Sequence, residues 1–298
     1  MHTPVLLQES LAGLAIQPQG TYVDLTFGSG GHSRAILERL HGGRLIAFDQ
    51  DPAAAQAAES IRNENFIFIR ANARFMQQFL AFHGARQVDG ILVDLGVSSY
   101  QIDTPERGFS TRWDGVLDMR MDPSTVLTAQ EIVNTYTPAQ LQRLFQEYGE
   151  VRNARTLAHK IVAVRAQGPI TTTQALRTIL TPLAPNHRTA KYYAQVFQAL
   201  RIAVNGELEA LKAILQQSTD VLKVGGRLVI LSYHSLEDRL VKRFMHAGNF
   251  EGEQQKDVYG HVERPLRPVL RKAMKPTAAE INRNNRARSA RMRVGEKT

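Results

Sequence analysis

The chain has 298 residues, of which 43% are hydrophobic, enough for about two domains with cores of their own. It contains no cysteine, which excludes disulfides, thiolate metal sites, cysteine-ligated iron–sulfur clusters and the cysteine nucleophile that usually activates C5 of a pyrimidine. The formal charge of +9 is concentrated at one end. Residues 261–298 carry eleven Lys/Arg against Glu263, Glu280 and Glu296, and residues 1–260 are nearly neutral, so either a polyanion partner or a solvated basic tail is expected.

Val5 to Ile16 reads as an apolar, helical lead-in. No stretch of membrane-spanning length is free of charges, and Met1-His2-Thr3-Pro4 lacks the basic-then-apolar layout of a secretory signal, so no membrane segment is expected and the cytoplasm is the expected compartment. Thr21 to Leu25 is a short buried strand. It runs through Gly28, Gly30 and Gly31 into a helix beginning near His32. Such a turn brings bare backbone N–H groups close to a ligand, either a dinucleotide pyrophosphate or S-adenosylmethionine. Ser33 stands where the dinucleotide fingerprint wants a third glycine. Asp24, near the end of the strand, would repel a pyrophosphate but attract a cationic sulfonium ligand, which favours S-adenosylmethionine.

Arg44 to Asp49 is a second strand ending in a carboxylate, nineteen residues beyond Gly30, where doubly wound folds bond ribose hydroxyls. Asp51-Pro52 then opens a helix. Phe66 to Arg70 is a third strand, leading through Asn72-Ala73-Arg74-Phe75 into a helix that ends at Phe82. Val88 to Leu95 is a fourth, nearly all apolar, as a strand buried on both faces should be. Asp24, Asp49 and Asp94 are thus expected to converge beyond the carboxyl ends of three strands.

From Asp103 to about Asn205 the strand–helix alternation stops. Loops around Phe109 and Trp113 give way to helices opened by a Thr137–Gln140 capping box and continued over Glu150 to Arg165, Thr172 to Leu180 and Lys191 to Val204. Glu207 to Val221 is again helical, Gly225-Gly226 turns into a strand at Arg227 to Ser232, and Ser235 caps the next helix with Asp238 completing the box. His234 lies outside that helix at a strand end. The basic stretch from about Arg264 is broken by Pro265, Pro268 and Pro276, and a Thr277–Glu280 capping box precedes the Arg-rich Asn282 to Arg293. The fold class is α/β, a doubly wound Rossmann-like sheet formed by residues 1–104 and 206–298, with residues 105–205 an inserted, mostly helical domain.

The residue blocks resemble a known family along nearly the whole chain. They are His2 to Leu7, Thr26 to Ser33, Asp49 to Pro52, Asp89 to Ser99, Arg107 to Ser110, Leu117 to Met121, Phe197 to Asn205, His234 to Arg239 and Arg286 to Ala290. The chain resembles the bacterial 16S ribosomal RNA (cytosine-N4)-methyltransferases, which act on a cytidine in the decoding centre. The resemblance implies a class I methyltransferase sheet, S-adenosylmethionine as methyl donor, the small ribosomal subunit as partner and a possible homodimer. It implies donor contacts at Gly30, Gly31, His32, Asp49, Ala73, Asp94 and Gln101, to which the residues themselves add Asp24 and Gly28. Two departures stand out: Ala73 replaces a frequent aromatic, for which Phe75 could substitute, and Lys191 to Val196 replaces a His-Pro-Ala-Thr-Arg run.

For the chemistry, Asp94 and the Ser98-Ser99 turn are expected beside the transferring methyl, with Asp118 and His234 candidates for the cytosine edge or for proton removal. Trp113 or Phe109 could line a pocket for the unstacked base, and Arg283, Arg286, Arg288, Arg291 and Arg293 would contact phosphates. No metal site is read from the sequence.

Overall fold

The computed structural model describes residues 4–298, so His2 and Thr3 of the first family block lie outside the described residues. The chain divides into two compact units, one running to Gly96 and resuming at Leu208–Thr298, the other Val97–Glu207. The first break falls at Gly96, ahead of residue 105, which puts Ser98, Ser99 and Gln101 in the second unit.

The first unit is a seven-stranded sheet of β1 (Thr21–Asp24), β2 (Arg44–Asp49), β3 (Phe66–Arg70), β4 (Val88–Asp94), β5 (Leu222–Ser232), β6 (Leu266–Pro268) and β7 (Arg291–Lys297), in the order β3-β2-β1-β4-β5-β7-β6. The first five strands are mutually parallel; β7 runs antiparallel to both β5 and β6. Strand order reverses between β1 and β4, and open parallel sheets bind ligands in the crevice beyond the strand ends at such a point. Successive residues of the central strands serve opposite faces. Val23, Ile46, Ile91 and Ile230 enter one core with Leu211, Leu215 and Phe244, while Tyr22, Leu45, Leu92 and Val229 enter another with Leu11, Leu14 and Ile36. Burial on both faces is why these strands read as continuous apolar runs.

Two sequence expectations are corrected here. β5 starts at Leu222, and the Gly225-Gly226 turn is a register irregularity inside it, with Val88 opposite Leu222 and Gly90 opposite Arg227. The basic end is not a tail. The helix capped by Thr277 ends at Arg283, and the chain finishes as β7, hydrogen-bonded between β5 and β6 with Met292 and Val294 buried. Alternation of Met292 and Val294 with Arg291 and Arg293 is a strand pattern that the charge count obscures.

The second unit is helical: Ser99–Asp103, Ala129–Thr135, Pro138–Gly149, Ala154–Arg165, Thr173–Leu180 and Thr189–Asn205. Its core is a separate cluster that includes Leu141, Phe145, Leu157, Ile161, Leu176 and Leu200. The Thr137–Gln140 capping box forms as expected. In the departing stretch 191–196, Gln195 donates from Nε2 to the Gly149 carbonyl at 2.9 Å, fastening one helix to the end of another.

Candidate active site

The glycine turn after β1 is hydrogen-bonded to all three strand ends around it. Thr26 N–H donates to Asp24 Oδ1 at 3.1 Å, and the Thr26 hydroxyl accepts the Asp94 N–H at 2.6 Å. Phe27 N–H reaches the Phe48 carbonyl at 2.9 Å, and Gly28 N–H donates to Asp49 Oδ2 at 2.8 Å. Gly28 and Gly30 have φ of 55° and 79°, a region costly for residues with a side chain. A Cβ on Gly30 would also lie 2.6 Å from the Phe27 ring. The turn therefore offers bare backbone against a crevice rimmed by Asp24, Asp49 and Asp94.

The electrostatics of the three acids set the character of the crevice. Asp24 is almost fully buried. Burial raises its pKa, against the Ser33 hydroxyl (2.6 Å from Oδ2), neighbouring His32 and the Thr26 N–H. Burial also pushes Asp49 up to about 6, although the N–H groups of Asp51 and Gly28 favour its ionised form. Asp94 is pushed up to about 7 by burial, against a 2.7 Å hydrogen bond from the Tyr233 hydroxyl and with Glu237 adding to the rise. His32 is held low by burial despite Asp24; its Nε2 lies 3.2 Å from the Val5 carbonyl, and its Nδ1 lies 3.8 Å from Asp94 Oδ2. Among the described residues no Lys or Arg pairs with any of the three acids. Buried carboxylates are normally paired or ligated, so the crevice is short of positive charge and fits a cation. A sulfonium carrying an amino group suits it; a pyrophosphate does not.

The other expected donor contacts are less central. Ala73 begins a short 3-10 turn capped by Asn72, whose amide donates to Gln50 Oε1 at 2.7 Å, so this position is tied to the end of β2. Phe75 is half-exposed, with the Arg74 guanidinium 5.9 Å from its ring centre. In the second unit Ser98 and Gln101 form a capping box: Ser98 N–H donates to Gln101 Oε1 at 3.0 Å, and Gln101 N–H donates to Ser98 Oγ at 3.2 Å. Ser99 is the first residue of that helix, and Gln101 is buried.

Several expected roles change. Asp118 is clasped by Arg120 through Oδ1 at 2.9 Å and Oδ2 at 2.7 Å. Partial burial works against its ionisation, but these bonds and the Arg120 charge hold it below the usual carboxylate range, so it is a poor proton acceptor. The helix Ser235–Ala247 is capped by His234, not Ser235, and Glu237, not Asp238, completes the box. The Glu237 carboxylate accepts the N–H groups of Tyr233 at 2.8 Å and His234 at 3.3 Å, while His234 Nδ1 accepts the Glu237 N–H at 3.5 Å. His234 Nε2 lies 3.1 Å from Glu237 Oε1, with the imidazole side chain only 9% exposed. Asp238 is taken by Arg291 at 2.8 Å and Arg293 at 2.7 Å. Arg293, only 12% exposed, is thereby lost as a phosphate contact; Arg283, Arg286 and Arg288 are exposed. Trp113 is 58% exposed on the second unit, whereas Phe109 packs against that unit's core.

Sequence reasoning missed Tyr233, Thr26, Ser33 and Glu237. The rule that ligands sit beyond strand ends could have found Tyr233, since it directly follows β5, where Leu231 pairs with Asp94.

The sheet order with its antiparallel β7, and the acid-rimmed glycine turn at the reversal point, define a class I methyltransferase that uses S-adenosylmethionine. The chain belongs to the MraW methylase family, whose model matches residues 1–298. It is 59% identical over 297 residues to "Ribosomal RNA small subunit methyltransferase H" of Amoebophilus asiaticus, covering 100% of this chain and 96% of the relative. The protein of the same name from Cytophaga hutchinsonii is 55% identical, covering 99% of each chain, and that of Bacteroides thetaiotaomicron is 52% identical, covering 99% of this chain and 97% of the relative.

Proposed function

We propose that this protein transfers the methyl group of S-adenosylmethionine to the exocyclic N4 of a cytidine in the decoding centre of 16S ribosomal RNA, acting in the cytoplasm on the small subunit or its RNA. The observation that carries the reading is the trio of a buried Asp24 and half-buried Asp49 and Asp94 at the strand ends around a glycine turn, with no Lys or Arg partner among the described residues. The small-subunit RNA substrate is supported by the name shared by relatives that align from end to end.

S-adenosylmethionine brings a methyl group already activated by the sulfonium, so the protein's task is alignment and electrostatics. Gly28, Gly30, Gly31 and His32 would hold the amino-acid end of the donor, Asp49 the ribose and the Ala73 turn the adenine edge, with Gln101 a further contact. Asp94 would stand beside the methyl and accept a hydrogen bond from the cytosine amine. That favours the pyramidal nitrogen whose lone pair attacks, and a carboxylate with a pKa near 7 can then take the released proton. His234 would be a candidate for the cytosine edge or for proton removal, and Ser98, Ser99 and Asp118 of the second unit would be candidate contacts of the substrate, with Asp118 a poor proton acceptor. Trp113 is an exposed ring that could receive an unstacked nucleotide, and Arg283, Arg286 and Arg288 would supply phosphate contacts, with the half-exposed, Asp238-paired Arg291 as a further one.

The test is incubation of the protein with small ribosomal subunits and a methyl-labelled donor, followed by nucleoside digestion. Label in N4-methylcytidine is expected. Label confined to another nucleoside, or none while the donor binds, would overturn the substrate assignment.

A further inference from the structure

Asp94 is held by the first unit from several sides. Its N–H donates to Thr26 Oγ1, its Oδ1 accepts the Tyr233 hydroxyl at 2.7 Å, and its Oδ2 lies 3.8 Å from His32 Nδ1. The titratable groups facing it are Tyr233 after β5, His32 on the helix Gly31–Leu37, Asp24 at the end of β1 and Glu237 on the helix Ser235–Ala247. Asp24 and Glu237 disfavour its charge, and the buried imidazole is held neutral. That leaves the Tyr233 hydroxyl as the group that favours the carboxylate.

We propose that Tyr233 is a positioning residue whose hydroxyl orients Asp94 and favours its carboxylate form, so that the crevice prefers a cationic methyl donor over the neutral thioether left after transfer. Tyr233 suits this task. Its half-buried ring packs against the core cluster that includes Val229 and Leu231 of β5, and lies against Gly96, where a Cβ would sit 3.5 Å from Cδ2. Its backbone N–H is fixed by Glu237 at 2.8 Å. Burial, and after it the nearby Asp94 charge, raise the phenol well above its usual pKa, so it remains a donor throughout the working range. The device is a difference in charge. When the sulfonium has become a thioether and Asp94 has passed the released proton on to solvent, the carboxylate is again charged but the positive charge beside it is gone, which weakens retention of the product. The proposal rests on the donor site read above.

The experiment is calorimetric titration of full-length wild type and Tyr233→Phe with S-adenosylmethionine and with S-adenosylhomocysteine between pH 6 and 8.5. A hydrogen bond to a charged group is worth about one pKa unit or more, so the midpoint of the pH-dependent gain in donor affinity should rise by about one unit in the variant. At pH 7 that corresponds to roughly fivefold weaker donor binding, shrinking towards none at pH 8.5, with S-adenosylhomocysteine changed less than twofold at either pH. In an Asp94→Asn background the same substitution should shift no midpoint. A ring that merely packs would leave the midpoint in place; an unshifted midpoint, or equal losses for both ligands at every pH, overturns the proposal. Failure of wild type to bind either ligand would instead overturn the donor site itself.

Discussion

Replacing Asp238 by Asn tests whether the C-terminal arginines serve the fold. Asp238 and Arg293 have side chains only 9% and 12% exposed and are joined at 2.7 Å; Arg291, half-exposed, joins at 2.8 Å. Removing one partner of a buried pair costs about 3–5 kcal/mol, because the remaining charge stays buried. The amide retains one acceptor and the Arg291 share is largely screened, so a loss of about 2–4 kcal/mol is expected. For a chain of this size each kcal/mol lowers Tm by roughly 2–4 °C, giving a drop of about 4–16 °C by calorimetry or circular dichroism. Burial works against ionisation of Asp238, but the two arginines outweigh it and hold the carboxyl below its usual range. A depressed folded-state pKa contributes stability that is present above the unfolded pKa and lost as pH falls through the folded one. Wild type and variant should therefore converge below about pH 4. A Tm change under about 1 °C at pH 7, or a gap that stays constant into acid, would refute the reasoning.

Three further outcomes are expected. Asp94→Asn should raise the Tm of the free protein at pH 8 and not at pH 4, since a carboxyl pushed up to about 7 costs stability only where it is forced to ionise, by up to about 4 kcal/mol; donor affinity should fall at least tenfold, and a lower Tm at pH 8 counts against the burial argument. Gly30→Ala should cost roughly 1–3 kcal/mol, from its φ of 79° and the Phe27 ring, and should abolish donor binding; calorimetry showing wild-type affinity would mean the turn does not cradle the ligand. Replacing Arg283, Arg286 and Arg288 together by Gln should leave Tm within about 1 °C and reduce the salt slope of RNA binding by roughly 2–3; an unchanged slope would remove these residues from the RNA interface.

The sequence alone determined the elements of the parallel sheet and the acids at its strand ends. Apolar runs bounded by glycine and proline are local signals, and a strand buried on both faces has one way to read. Asp24, Asp49 and Asp94 were legible for the same reason, each being the last polar residue of such a run. The Thr137 and Thr277 caps were legible because capping involves neighbours within four residues.

Tertiary structure decided whatever depends on a partner distant in sequence. Asp238 read as half of a capping box until β7 brought Arg291 and Arg293 beside it; the helix then took His234 and Glu237 for its cap. The basic end read as a tail because charge dominates its composition, yet pairing with β5 and β6 satisfies the backbone of β7 and buries Met292 and Val294. The Asp118–Arg120 pair is local by contrast, and it depends on Met119 taking a φ of 63°, a backbone state that two-residue spacing alone does not dictate. Tyr233 is nearly 140 residues from Asp94 along the chain, and only the parallel pairing of β4 with β5 brings its hydroxyl to that carboxylate.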